Sequence, residues 1–162
     1  MQAHGIAAQL PSGFEGRIFK RQGIGPELPC AVAQFATFPL PEEVGDFGGG
    51  AVTLMSDTDV FASLFEYGPE SLGTRLFARQ GMPRSLGTSD FLPYVLRRGL
   101  PGQSGTQWFF TEAGRPFTLY VVLGSHSRRA QLVPRANALL AGVGVGPAPA
   151  AAPAASLGVP WN

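Results

Sequence analysis

Glycine and proline interrupt this chain so often that long regular elements are confined to a few stretches. There are 22 glycines and 15 prolines among its 162 residues, about twice their average combined frequency. Both residues favour turns and weaken helix interiors. Because hydrophobic residues make up 44% of the chain and charged residues 14%, there is enough apolar material for a core. The composition predicts a single folded domain rich in β-structure.

The strongest local pattern is a pair of aromatic and β-branched runs, Thr106 to Thr111 and Pro116 to Gly124. The connection between them, residues 112–115, has the composition of a short turn. Two such runs around a glycine-containing connection predict a β-hairpin. Alternation along the hairpin predicts which side chains face the core. These core-facing residues are Trp108, Phe110, Phe117, Leu119 and Val121.

Further strands are expected earlier in the chain, over residues 14–19 and from Cys30 to Phe38. Ala51 to Met55 and Val60 to Tyr67, joined by the turn at residues 56–59, are predicted to form another hairpin. Both faces of the segment from Val60 to Tyr67 are apolar. This strand is therefore expected near the middle of a sheet that is covered on both sides.

A C-terminal helix follows the aromatic hairpin in the prediction. Ser125 or Ser127 is expected to cap it, and Pro134 is expected to delay its regular part to residues 134–141, with an end at Gly142. Short helices are expected to open at Pro69 and Thr88. The predicted fold class is α+β: an antiparallel sheet packed with a C-terminal helix and short helices in a single domain, residues 1–145. The Ala/Pro/Gly-rich residues 146–162 are expected to form a flexible tail.

Several classes of protein are excluded by this composition. The strongly apolar stretches, such as Leu119 to Leu123, are far too short to cross a bilayer. With Cys30 as the only cysteine, no intrachain disulfide can form, and His4 and His126 are too few to complete a zinc site. We therefore expect no metal, no cofactor and no membrane insertion. The opening residues lack the pattern of a secretory signal, which predicts a cytoplasmic protein.

Charge is distributed unevenly along the chain. Residues 1–70 carry nine acidic and three basic residues, a net charge of −6, whereas residues 71–162 carry nine arginines and two acidic residues, a net charge of +7. The two halves could interleave so that their charges mix on the surface. Alternatively, a bipolar surface could steer a charged partner or self-association. A nucleic-acid partner is not expected, because the chain lacks an excess of positive charge.

The order of these elements resembles a known fold. A Leu-Pro-Ser-Gly-Phe opening at residues 10–14, an antiparallel sheet, a penultimate aromatic hairpin and a closing helix resemble the Mog1/PsbP-like α+β sandwich, in which the opening usually reads Pro-x-Gly-Trp. The resemblance covers residues 5–145, and the arginine-rich composition also looks like that of actinobacterial proteins. The resemblance to the Mog1/PsbP-like fold implies an accessory or binding module, and it assigns no catalytic residue.

Two places could bind an anion. Arg97 and Arg98 precede the glycine-rich residues 99–105, whose backbone amides could contact a negative charge; an ordinary connection into the next strand is the alternative. Arg128 and Arg129 follow His126 at the expected helix start, where an anion could also bind; solvated arginines beside a capping serine are the alternative. Trp161, at the end of the tail, could anchor a protein partner, or it could be incidental.

The residue types of a hydrolase triad are also present: Ser104 or Ser125, with His126 and Asp90 or Glu66. No Gly-x-Ser-x-Gly pattern accompanies them. The sequence therefore predicts a non-catalytic binding or accessory module that contacts a protein partner, or further copies of itself, within a larger assembly. The alternative is a small-ligand or anion-binding domain, or an enzyme, that uses the Arg97/Arg98 loop or the His126 helix start.

Overall fold

The computed structural model describes residues 1–21, 30–42, 50–93 and 100–150. Within them the chain forms two antiparallel sheets and one α-helix, which confirms the predicted α+β class. The elements are β1 (Gln2–Ala3), β2 (Ile6–Ala8), β3 (Glu15–Lys20), β4 (Ala31–Ala36), β5 (Val60–Glu66), β6 (Ser104–Glu112), β7 (Arg115–Leu123), α1 (Arg129–Ala141) and β8 (Val143–Val145). The small sheet has the order β1-β2-β8, and the large sheet has the order β3-β4-β5-β7-β6.

Strand β5 lies in the middle of the large sheet, between β4 and β7. Its residues from Val60 to Phe65 are all buried. Val60, Ala62 and Leu64 belong to the main core, whereas Phe61 packs in a second cluster on the other side of the sheet. The prediction of a central strand with two covered faces is confirmed.

The predicted aromatic hairpin is formed by β6 and β7, which pair from Ser104 and Leu123 to Glu112 and Arg115. Only Ala113 and Gly114 remain for the turn, with φ angles of 50° and 72°. Two consecutive positive φ angles define the type I′ turn, whose twist matches that of the flanking strands. The hairpin is confirmed, and its turn is two residues shorter than the expected connection.

One face of the large sheet, which we call the helix face, is directed toward α1 and the small sheet. Alternate residues of the central strands meet the helix there in one core. That core includes Phe35, Ala62, Leu64, Phe110, Phe117, Leu119, Val121, Leu132, Ala136, Leu139 and Leu140. We call the other side of the sheet the opposite face. There Ala51 and Val52 cover Phe61 and Val122.

Helix α1 begins at Arg129, five residues before the expected regular part, so that prediction was wrong. Neither serine caps it: the hydroxyls of Ser125 and Ser127 lie 2.9 Å from each other. Pro134 lies inside the helix. It removes the donor to the carbonyl of Ala130, four residues earlier. Both residues are exposed, so water can bind this carbonyl and the helix continues through the proline.

The predicted helix end at Gly142 is confirmed, and the small sheet explains it. The Gln9 amide donates to the Gly142 carbonyl at 2.9 Å. A Cβ atom at Gly142 would lie 2.1 Å from the Gln9 carbonyl oxygen. Only glycine therefore allows the end of α1 to approach the chain that leaves β2.

The predicted hairpin between residues 51–55 and β5 was wrong. Val52–Leu54 is a single 3-10 turn. Both edges of β5 are already paired, with β4 and with β7, so no edge is left for another strand. The Val52 carbonyl instead accepts a hydrogen bond from the Gln103 side chain at 2.8 Å. The short helices expected near Pro69 and Thr88 are likewise single 3-10 turns, at Pro69–Ser71, Arg75–Phe77 and Thr88–Asp90.

Phe117 should contribute strongly to stability because it is fully buried and stacks on Phe110, with ring centroids 6.0 Å apart. We expect Phe117→Ala to lower the free energy of unfolding by about 3–5 kcal/mol in chemical denaturation. Phe109→Ala is the matched control, since Phe109 lies in the same hairpin but is only partly buried. An equal loss in both variants would contradict this assignment of the core-facing residues.

Candidate functional site

Arg128 and Arg129, at the start of α1, contact different partners in the structure. Arg128 forms an ion pair with Asp57, with 3.0 Å between Nε and Oδ2, and both side chains are largely exposed. Arg129 donates from Nη1 to the carbonyl of Phe91 at 3.4 Å. The two guanidinium groups therefore do not converge on one point. Anion binding here stays a prediction, and Arg97, Arg98 and Trp161 lie outside the described residues.

Two residues of the possible triad do meet. Ser104 Oγ and His126 Nδ1 lie 2.9 Å apart, within hydrogen-bond distance. Ser104, however, is fully buried. The acidic candidates are engaged elsewhere: Asp90 accepts from the Gly87 amide, and Glu66 binds Arg115. The pair therefore has the features of a structural contact between β6 and the segment before α1.

An ion pair between the buried Arg115 and the partly buried Glu66 joins the two sheets. Arg115 donates from Nε and Nη2 to the two carboxylate oxygens of Glu66, at 2.7 and 2.9 Å. The same guanidinium donates to the carbonyls of His4 and Gly146, both at 3.0 Å. Glu66 also accepts from the Ala31 amide at 3.0 Å. The Glu66–Arg115 pair thus connects β4, β5 and β7 to the β1–β2 turn of the small sheet and to the chain after β8.

The surroundings of Glu66 favour its charged form. Burial alone would raise the pKa of Glu66, but hydrogen bonds from Arg115 and the Ala31 amide, and the charge of Arg115, lower it below its ordinary value of 4.5. Both Glu66–Arg115 and Asp57–Arg128 join the acidic half of the chain to the basic half. These contacts favour interleaved charges over two separate poles.

Strand β3 forms an outer edge of the large sheet and pairs only with β4. The Arg21 amide donates to the Cys30 carbonyl. Because hydrogen bonds alternate along an antiparallel pair, the backbone groups of Gly16, Ile18 and Lys20 point away from β4. No described residue pairs with them.

The edge at β6 differs, since it is closed at both ends. Leu92 and Gly105 exchange two backbone hydrogen bonds, at 3.0 and 3.1 Å. At the far end, the Thr111 amide donates to the Arg79 carbonyl and its carbonyl accepts from the Gly81 amide, both at 2.8 Å. Among the described residues, β3 is therefore the edge with more backbone groups left for another strand.

A row of polar side chains crosses the opposite face of the large sheet, one from each strand. We call it the polar row: in register order it is Arg17, Gln34, Ser63, Tyr120 and Gln107. Apolar residues lie on both sides of it along β4 and β5. Gln34 and Ser63 are fully buried, although both are polar. The sequence analysis did not identify this row. Its only sign in the sequence is one uncharged polar residue within each apolar run, Gln34 in β4 and Ser63 in β5.

Comparison with known proteins adds no relative: no family model matches the chain, and neither a curated protein nor a solved structure does. The resemblance to the Mog1/PsbP-like fold stays a prediction. Within the described part of the chain, no helix is long and apolar enough to span a membrane. The same residues contain no group of three or more potential metal ligands.

The charge of Glu66 should contribute to stability above its unfolded-state pKa. Since folding lowers the pKa of Glu66, this contribution is lost as the pH falls below 4.5 and through the lower folded-state value. We expect Glu66→Gln to reduce the free energy of unfolding by about 3 kcal/mol at neutral pH, because the buried Arg115 loses its counter-charge. The difference from the natural chain should shrink on going to about pH 3.

The matched control for this experiment is Glu70→Gln, which neutralises an exposed carboxylate close in sequence. Denaturation curves of both variants over the same pH range separate the ion pair from general charge effects. A pH-independent cost of Glu66→Gln would show that the charge of Glu66 contributes nothing.

Proposed function

We propose that this chain is a non-catalytic binding module that works within a larger assembly. The observation that carries this proposal is the accessible edge of β3, with three outward-facing residues that no described strand pairs with. An exposed strand edge offers backbone donors and acceptors to a further strand, and such pairing is a common mode of protein recognition.

The occupant that fits this edge best is β3 of a second copy. A two-fold antiparallel pairing centred on Ile18 uses all three outward-facing residues, with Gly16 opposite Lys20 of the second copy. It also places Glu15 opposite Arg21, and Arg17 opposite Phe19. Opposite charges, and a cation against an aromatic ring, both favour this register.

The neighbouring two-fold registers are less favourable. Shifting the centre by one residue toward the N-terminus places Arg17 opposite Arg17 of the second copy. Shifting it by one residue the other way places Arg17 opposite Arg21. Like charges directly opposite each other destabilise a strand pair. The side chains of β3 therefore select one self-complementary arrangement, in which two five-stranded sheets become one continuous sheet.

Glu15 and Arg21 are already held in position along this edge. Glu15 accepts a hydrogen bond from the Leu40 amide, and the Arg21 guanidinium lies over the ring of Phe65, 4.7 Å from its centroid. Pairing would thus immobilise side chains that are partly ordered beforehand, which reduces the entropic cost of association. A cytoplasmic location and a protein partner within the assembly are part of the same proposal.

Lys20→Pro should abolish this association. Proline removes the outward-facing amide and places its ring against the incoming strand, but it breaks no bond to β4. We expect light scattering on the variant to give the mass of a monomer under conditions in which the natural chain is a dimer. Lys20→Ala controls for loss of the charge, and Gln107→Pro removes an outward-facing amide from the β6 edge; both should remain dimers.

A charge exchange tests the register independently. Glu15→Arg and Arg21→Glu should each weaken the dimer by placing like charges opposite each other, and the double variant should restore it. A natural chain that stays monomeric when concentrated, or a dimer that survives Lys20→Pro, would overturn the proposal.

A further inference from the structure

The edge strand β6 keeps an unpaired stretch between its two closed ends. Those ends, at Gly105 and Thr111, are bonded to the chain between residues 79 and 92. Because outward-facing residues alternate along an edge strand, Gln107 and Phe109 also point away from β7. No described residue bonds to the amides or carbonyls of these two residues. We call the outward-facing backbone groups of Gln107 and Phe109 the β6 window.

The chain that connects the two closed ends packs against α1. The Leu86 amide donates to Asn137 Oδ1 at 2.8 Å, and Asn137 Nδ2 donates to the Leu86 carbonyl at 2.9 Å. Gln107 is exposed, and Trp108 and Phe109 are only partly buried. The β6 window is therefore accessible to another backbone segment that approaches from solvent.

The closed ends limit the length of the occupant. Their outward-facing groups are already bonded, so an incoming strand can lie only opposite residues 106–110. In an antiparallel pairing, its residues opposite Gln107 and Phe109 exchange hydrogen bonds with them, about four in all. The residue opposite Trp108 makes no hydrogen bond to β6. The β6 window therefore fits a short extended segment, because a long strand would collide with the closed ends.

The side of the β6 window toward the helix face carries a cation. The Arg79 guanidinium lies over the indole ring of Trp108, 5.0 Å from the ring centroid. Arg79 is exposed, and no carboxylate of the described residues forms an ion pair with it. Since directly opposite residues project their side chains to the same face, the central residue of an incoming segment meets Trp108 and Arg79. A glutamate at that position complements the charge.

The side of the β6 window toward the opposite face is aromatic. The ring of Phe109 contacts those of Phe77 and Tyr67, with centroids 5.7 and 6.2 Å apart. Phe77 is buried, whereas Phe109 and Tyr67 are partly exposed. The two residues of an incoming segment that bond to the β6 window project their side chains to this face. An apolar side chain there covers the exposed part of the Phe109 ring.

We propose that the β6 window binds a short extended segment of a protein partner in which a glutamate stands between two apolar residues. The apolar residues supply the backbone hydrogen bonds and contact Phe109, and the glutamate binds Arg79 beside Trp108. The β6 window and the edge of β3 lie at the two ends of the large sheet. Binding of the segment therefore does not depend on the pairing of β3.

The peptide acetyl-Ser-Phe-Glu-Val-Ser-amide is a suitable probe, because its length matches residues 106–110. We expect it to protect the amides of Gln107 and Phe109 from hydrogen exchange, followed by NMR at a fixed concentration of the chain. The amides of Ile18 and Lys20 should not respond to it. Replacing the glutamate of the peptide by lysine should weaken binding by about tenfold, since Arg79 then faces a like charge.

Methylation of single backbone amides in the peptide tests the register. A methyl group on the amide of its phenylalanine or its valine removes a hydrogen bond to the β6 window and should abolish binding. The same group on the glutamate amide points away from β6 and should leave the affinity unchanged to within about twofold.

Variants of the chain test the cation and the strand edge separately. Arg79→Glu should reverse the preference between the glutamate and lysine peptides, and Arg75→Glu, at another exposed arginine of the same loop, should not. Gln107→Pro should abolish peptide binding and leave the dimer intact. Lys20→Pro should bind the peptide as a monomer. The pairing of β3 and the binding at β6 can therefore fail independently.

Four results would overturn the proposal. The glutamate peptide might leave the amides of Gln107 and Phe109 unprotected, or the glutamate and lysine peptides might bind equally. A loss of binding on methylation of the glutamate amide alone would contradict the register. Protection of Gln107 and Phe109 that rises with the concentration of the chain by itself would assign the β6 window to a second copy.

Discussion

The ion pair between Glu66 and Arg115 is the contact on which the arrangement of the two sheets depends. Its guanidinium reaches the turn of the small sheet through the His4 carbonyl and the chain after β8 through the Gly146 carbonyl. Glycine at position 5 is required beside it, because a Cβ there would lie 2.6 Å from Arg115 Nη1 and the φ angle is 75°. Without this pair, the buried Arg115 would lose its counter-charge and keep only the two carbonyls, and Glu66 would keep only the Ala31 amide.

Both faces of the large sheet are covered along its central strands, so the proposed contacts with other molecules use the edges of β3 and β6. Helix α1 and the small sheet cover the helix face with a continuous apolar core. The opposite face combines a smaller apolar cluster with the polar row. Arg17 belongs both to that row and to the edge strand β3.

Much of the fold was predictable because it depends on local patterns. The β6–β7 hairpin follows from alternation around a glycine-containing turn, and the central position of β5 follows from its two apolar faces. The start of α1 was not predictable, since tolerance of Pro134 depends on which side of the helix meets water. Nor was the pairing of Glu66 with Arg115, which are 49 residues apart in the chain. The polar row required the register of five strands, which no single segment contains.

The central claim is that β3 presents a strand edge that a second copy completes. Hydrogen exchange of individual backbone amides, followed by NMR as the protein is concentrated, tests it most directly. The account predicts that the amides of Ile18 and Lys20 exchange rapidly in dilute solution and become protected as the concentration rises, while those of Gln107 and Phe109 on the β6 edge stay unprotected. Protection of Ile18 and Lys20 that does not change with concentration, or equal protection at both edges, would contradict it.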